Sequence, residues 1–218
     1  MLTIEDRTKL CLRGFEFDLP VPVIRHCLKL GLVKDPYVQK DHQLKCIFLH
    51  VPKAAGTSLR KSVYGTKSFH IPALRYKAAN PEQFEGYFKF CFVRNPWERL
   101  LSAFEYLKTR CYGDMSFPDH RWAASNLVKY KDFRDFVMSL EKARVRRRIK
   151  KYIHFRDQLD WICCPQNPKS ITANFVGRYE TIQDDYERLG QMLNLPDPLP
   201  FERKSRSKVD YGQFILRK

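Results

Sequence analysis

A chain of 218 residues, 44% of them hydrophobic, can bury one substantial core, and no long Gly/Ser tract marks a flexible linker inside it. Forty Lys and Arg against 24 Asp and Glu leave a formal charge of +16, which points to an anionic partner: a nucleotide, an acidic polysaccharide, nucleic acid or a membrane surface. The seven cysteines are odd in number and lack C-x-x-C or zinc-type His/Cys spacing, which argues for reduced, mostly structural thiols.

At the amino end there is no secretory signal pattern. The most apolar stretch, Leu19 to Val33, is interrupted by Arg25, His26 and Lys29 and is too short and polar to span a bilayer. A cytoplasmic protein is the expectation, although a Golgi-lumenal enzyme lacking its anchor would present the same pattern. Residues 1–44 read as a divergent lead with one or two short helices, Ile4 to Leu12 and Pro22 to Gly31. Residues 45–218 complete a single domain. The pattern predicts a strand over 45–51, helices over 57–63 and 80–86, a strand over 87–93 and a helix over 96–109. A polar, aromatic loop (Cys111 to Arg121) precedes helices around 131–153, a short strand near 174–178 and a helix over 180–193. Pro196, Pro198 and Pro200 then impose an extended turn. Strands separated by helices predict an α/β fold with a parallel sheet flanked by helices.

The segment Phe48 to Leu59, FLHVPKAAGTSL, carries the most chemistry. An apolar strand ends in proline; a lysine, two alanines and a glycine follow; Thr57 and Ser58 open a helix. Small residues there allow close approach of backbone to a phosphate, the helix start offers N–H donors, and Lys53 adds a point charge. An ATP-binding Walker loop is disfavoured. That motif places its lysine directly after the last glycine, whereas Lys53 comes three residues before Gly56.

A second segment, Phe88 to Phe104, reads FKFCFVRNPWERLLSAF. Its aromatic and β-branched beginning suits a buried strand. Asn95 is a natural N-cap, Pro96 suits the first helical position, and Glu98 stands where the helix dipole favours an acid. Trp97, Leu100, Leu101, Phe104 and Leu107 make an apolar helical stripe that reads as core. Arg94 is left at the carboxyl end of the strand, where open α/β sheets bind ligands, unless it serves as a structural ion pair.

Taken together, the two segments resemble the nucleotide-binding elements of the sulfotransferases that use 3′-phosphoadenosine 5′-phosphosulfate (PAPS). The likeness is to the carbohydrate type, family 2, which includes bacterial members and relatives of the heparan 2-O-sulfotransferases. The resemblance implies a P-loop-like central parallel sheet, PAPS as donor and adenosine 3′,5′-bisphosphate (PAP) as product. It implies that Lys53, Ala54, Ala55, Gly56, Thr57 and Ser58 hold the 5′-phosphosulfate and that Arg94 and Ser102 hold the 3′-phosphate. Lys53 and the loop amides would supply the positive field for the leaving group, so no metal is required. The likeness continues through Phe69 to Phe90, Ala173 to Leu193 and the basic LPFERKS loop at Leu199 to Ser205. The acceptor it implies is a hydroxyl, less readily an amine, of a carbohydrate or carbohydrate-like molecule.

Two questions stay open at this level. The run Lys142 to Arg156 holds eight Lys and Arg and no acid. It reads as a solvated helix face, as a cradle for an anionic acceptor, or as a phosphate-backbone contact, though no nucleic-acid motif accompanies it. A basic nucleic-acid- or polyanion-binding protein and an inactive PAPS-binding scaffold are therefore the alternatives. The catalytic base must be sought among six histidines. His50 lies inside the first strand and reads as a packed or loop-bracing residue. His70 stands where the heparan 2-O-sulfotransferase-like relatives place a catalytic histidine, and is preferred to His154, which ends the basic run.

Overall fold

The computed structural model of this chain describes residues 17, 19–66, 69–164, 167–195 and 199, with the backbone alone at 167–169. The predicted helix Ile4 to Leu12, the turn at Pro196, Pro198 and Pro200, and the basic loop beyond Leu199 lie outside the described residues. The chain divides into two compact units, Met1–Val93 with Asp157–Glu202, and Arg94–Arg156 with Arg203–Lys218.

The first unit is a mixed α/β structure. Helices α1 (Val21–Lys29) and α2 (Gln39–Leu44) lead into strand β1 (Cys46–Phe48). Next come α3 (Gly56–Tyr64), α4 (Ala73–Ala79), α5 (Pro81–Gly86) and strand β2 (Phe88–Val93). After the second unit, the chain forms α10 (Leu159–Ile162), a two-stranded antiparallel ribbon of β3 (Cys163–Cys164) and β4 (Asn167–Ile171), strand β5 (Phe175–Arg178) and α11 (Ile182–Leu193). The described main sheet has three parallel strands in the order β1-β2-β5. Cys46 pairs with Phe88 and Phe48 with Phe90, while Phe90 pairs with Phe175 and Phe92 with Gly177.

Alternation along these strands sends Cys46, Phe48, Phe90, Phe92 and Phe175 to one face, where they bury against Leu59, Val63 and Tyr64 of α3 and Tyr186 and Leu189 of α11. Gly177 makes this layer possible: a Cβ there would sit 2.4 Å from the ring of Phe92. The Tyr64 hydroxyl accepts from the Phe48 amide (3.1 Å) and donates to the Cys46 carbonyl (3.2 Å), tying α3 to β1. Lys89 is buried in the central strand, and its ammonium donates to the carbonyls of Phe84 (2.7 Å) and Tyr87 (2.8 Å) at the end of α5. Burial pulls its pKa down.

The second unit is helical: α6 (Pro96–Lys108), α7 (Pro118–Asn126), α8 (Phe133–Ser139) and α9 (Ala143–Lys150). Phe104, Leu107, Cys111, Leu127, Tyr130, Phe136, Ile149 and Phe155 form its core. The predicted loop Cys111 to Arg121 is shorter than expected, because Pro118 opens α7 at a position that needs no N–H partner. The helices expected around 131–153 are α8 and α9, with α8 capped by the Asp132 carboxylate accepting from the Asp135 amide (2.9 Å). The first strand is also shorter than its apolar run of 45–51. Helix α2 and the β3–β4 ribbon carry too few periodic apolar residues to be predicted at all.

Candidate functional site

In the first unit, the connection from β1 to α3 is built by backbone geometry. The Leu49 amide still donates to the Phe90 carbonyl (2.9 Å), and Pro52, which has no N–H, then lies on the path away from the sheet. Lys53 and Ala55 follow with φ of 68° and 62°. Left-handed backbone at a residue carrying a side chain costs roughly 1–3 kcal/mol and persists where the surroundings enforce it, most often at functional sites. Residues so placed turn consecutive N–H groups toward a common point, the arrangement that receives anions. Ala55 is the N-cap of α3 and offers no side-chain acceptor, so no side chain caps that helix. Its first amides, at the positive end of the helix dipole, remain available to an anion. Thr57 is exposed and Ser58 and Lys53 are half-buried, so the chain's polar side chains around this turn can reach a ligand.

Gly56 adopts no left-handed φ. What it supplies is space: a Cβ at this position would lie 1.7 Å from Nε2 of His50. His50 is 4% exposed, stacks on Phe48 (centroids 5.4 Å apart, planes at 15°), and its Nδ1 donates to the Phe69 carbonyl at 3.1 Å. His70 packs against this imidazole, centroid to centroid 4.1 Å, and meets Trp161 edge-on at 5.9 Å. The histidine expected as base and the β1–α3 turn thus touch a common side chain. His50 is legible in the sequence as a packed or loop-bracing residue, and it is both; Gly56, six residues further on, is the signal for where it packs.

Arg94 and Ser102 belong to the second unit. Asn95 caps α6 by accepting from the amides of Trp97 (3.0 Å) and Glu98 (3.4 Å), and Pro96 occupies the first turn. Arg94 is buried, with its Nε donating to Glu98 at 3.3 Å. Glu98 and Ser102 are four residues apart on one face of α6. The arginine at the strand end is therefore an ion pair, with the partner that sequence reasoning treated only as a helix-dipole acid.

His154 is placed differently. It is 5% exposed, and its Nε2 lies 3.2 Å from the Asp119 carboxylate, which also accepts from Tyr106 (2.8 Å) and Tyr152 (2.5 Å). Burial alone would raise the Asp119 pKa, but His154 and the two phenols hold it well below the usual carboxylate range. The carbonyls of His154 and Arg156 receive the guanidinium of Arg99 (3.2 and 2.6 Å), so this histidine sits in a closed network. By contrast α9 turns its charge outward. Val145 and Ile149 face inward, while Arg144, Arg146, Arg147, Arg148 and Lys150 are exposed.

Burial disfavours the thiolate form of the core cysteines. Burial pushes Cys46 up to about 11 and Cys91 up to about 12, and each of the six described cysteines is free.

A family model described as the sulfotransferase family matches residues 35–213. The chain belongs to the sulfotransferase family. Carbohydrate sulfotransferase 11 of Mus musculus is 28% identical over 84% of this chain and 59% of its own length. Carbohydrate sulfotransferase 14 of Homo sapiens is 24% identical over 85% of this chain and 52% of its own length. An uncharacterized protein of Archaeoglobus fulgidus is 26% identical over 61% of this chain and 88% of its own length. The chain thus spans little more than half the length of the carbohydrate sulfotransferases it matches. No solved structure matches it. The family 2, carbohydrate-type resemblance carried by the two motifs therefore holds, and the motifs lie inside the matched region. Among the described residues no helix is long and apolar enough to cross a membrane, and no group of three His, Cys, Asp or Glu side chains is placed to hold a metal ion.

Proposed function

We propose that the chain transfers a sulfuryl group from PAPS to a hydroxyl, or less readily an amine, of a carbohydrate acceptor, on a P-loop-like sheet. The observation that carries this reading is the α3 start: a helix with no side-chain cap, preceded by two left-handed residues that bear side chains. Such a turn is poorly explained as a plain connection and well explained as a seat for an anionic group.

The residues divide the work. The first amides of α3, with Lys53, Thr57 and Ser58, receive the 5′-phosphosulfate. Arg94 and Ser102 receive the 3′-phosphate through charge-assisted bonds, with Glu98 setting the orientation of the guanidinium. His70 takes the proton of the acceptor hydroxyl. The acceptor oxygen attacks sulfur in line, the sulfur–oxygen bond to the phosphate breaks, and Lys53 with the loop amides stabilises the negative charge left on PAP. The choice of His70 over His154 is supported by burial of His154 against Asp119. The exposed arginines of α9 support an acceptor that is itself anionic.

Incubation with PAPS and a panel of neutral and anionic glycans, read by mass, tests the activity; a sulfated glycan is the expected product. PAP binding with no transfer to any glycan would leave the inactive scaffold. Duplex DNA binding with steep salt dependence and no PAP binding would favour the nucleic-acid alternative. His70→Ala should keep PAP affinity and lose about 10²- to 10⁴-fold in turnover, the usual range for a general base. If His154→Ala behaves this way and His70→Ala does not, the base is misassigned.

A further inference from the structure

Among the groups the mechanism leaves unused, His50 has the most specific surroundings. Phe69 presents a carbonyl, so Nδ1 of His50 must carry its proton, and in the neutral ring Nε2 is the bare nitrogen. That nitrogen faces the first residue of α3, occupying the volume that any side chain at position 56 would need. The opposite edge is held to the backbone just before His70, and the ring face packs at 4.1 Å against His70 itself. One imidazole therefore contacts the turn that presents the α3 amides, the carbonyl at Phe69, the ring of His70 and the ring of Phe48.

We propose that His50 is a positioning residue that joins the anion-receiving turn and His70 into one rigid piece, so that base and sulfuryl donor keep a fixed mutual geometry. This rests on the sulfotransferase reading above and deepens it. Gly56 is then the steric counterpart of His50, required for the imidazole rather than for a special φ. The coupling matters because misplacement by about 1 Å can cost 10²-fold in rate while leaving ligand binding almost untouched. Phe48 stacks on the same imidazole and in turn on Phe90 of β2, so the His50 ring is also tied to the packed face of the sheet.

A double-mutant cycle separates this role from simple packing. Wild type, Gly56→Ala, His50→Ala and the double variant would be compared by calorimetric PAP affinity, by steady-state kcat and KM with PAPS, and by thermal unfolding. Gly56→Ala should weaken PAP binding by about tenfold or more, as the new methyl displaces the imidazole and the turn with it. The double variant should recover PAP affinity to within about threefold of wild type, yet keep a kcat at least about tenfold low, since His70 has lost its support. His50→Asn, which keeps a donor for the Phe69 carbonyl, should regain part of the lost kcat at unchanged KM for PAPS. It also serves as the informative variant should His50→Ala fail to fold. Two results would overturn the assignment: a folded His50→Ala with kcat within about twofold of wild type, or a double variant that binds PAP no better than Gly56→Ala. Failure of wild type itself to bind PAP is a different outcome, and removes the sulfotransferase reading together with the role built on it.

Discussion

Two parallel strands of this protein end in helices, and the two turns are made in opposite ways. After β2, side chains do the work: Asn95 satisfies two amides of α6, Pro96 fills a position that needs no donor, and Glu98 pairs with Arg94. After β1, the backbone does it: Lys53 and Ala55 adopt left-handed φ, and α3 begins without a side-chain cap. A turn that satisfies itself is a finished piece of structure. A turn that accepts strain and has no side-chain cap leaves room for a ligand to complete it. On the function proposed above, the two turns would serve different parts of the donor: charge-developing contacts at the open turn and selective recognition at the closed one.

Lys53→Ala should break the comparison most severely. Loss of one pre-placed donor to a developing negative charge typically costs about 10²- to 10³-fold in rate. Single-turnover transfer from PAPS, with circular dichroism to confirm folding, is the measurement; near wild-type turnover would refute an electrostatic role for the open turn. Next in size is Arg94→Ala with Ser102→Ala. Bonds to charged groups contribute about 1.5–3 kcal/mol each, so PAP affinity should fall roughly 10- to 100-fold per residue, while the analogue without the 3′-phosphate changes little. Equal losses for both nucleotides would mean that the closed turn supports the fold and selects nothing.

Smaller effects sharpen the contrast in stability rather than rate. Asn95→Ala removes a cap that accepts from two amides and should cost about 1 kcal/mol in urea unfolding. Ala55→Gly should do the reverse. It relieves a left-handed residue, worth about 1–2 kcal/mol, against about 0.4–1 kcal/mol of added freedom in the unfolded chain. A net gain of roughly 0.5 kcal/mol is expected; a loss would show that position 55 carries no strain.

The same contrast explains what the amino-acid sequence revealed. Asn95, Pro96 and Glu98 announce their helix because each acts on a neighbour within one turn, and the observed α6 starts where they say. The parallel sheet was legible from β-branched and aromatic runs, and α6 from its apolar stripe. Gly56 was legible as a close-approach residue but not as the counterpart of His50, because that contact runs across the turn rather than along a regular period. An ion pair is legible at Arg94 as an alternative, but its i, i+4 partner Glu98 reads in the sequence only as a helix-dipole acid. Nothing in the spacing of Asp119, Tyr106, Tyr152 and His154 foretells their network, which depends on three separate segments meeting in the second unit.

The hydroxyl of Tyr64 has a consequence for observing all of this in solution. The Phe48 amide on the outer side of β1 is bonded to that hydroxyl, not to a neighbouring strand. Its exchange with solvent deuterium therefore follows the docking of α3 rather than the opening of the sheet. Fast exchange at Phe48 beside slow exchange at Leu49, whose amide bonds to β2, would report α3 lifting away while the strands stay paired. A single backbone proton thus indicates whether α3, the helix that follows the uncapped turn, is seated, with or without nucleotide added.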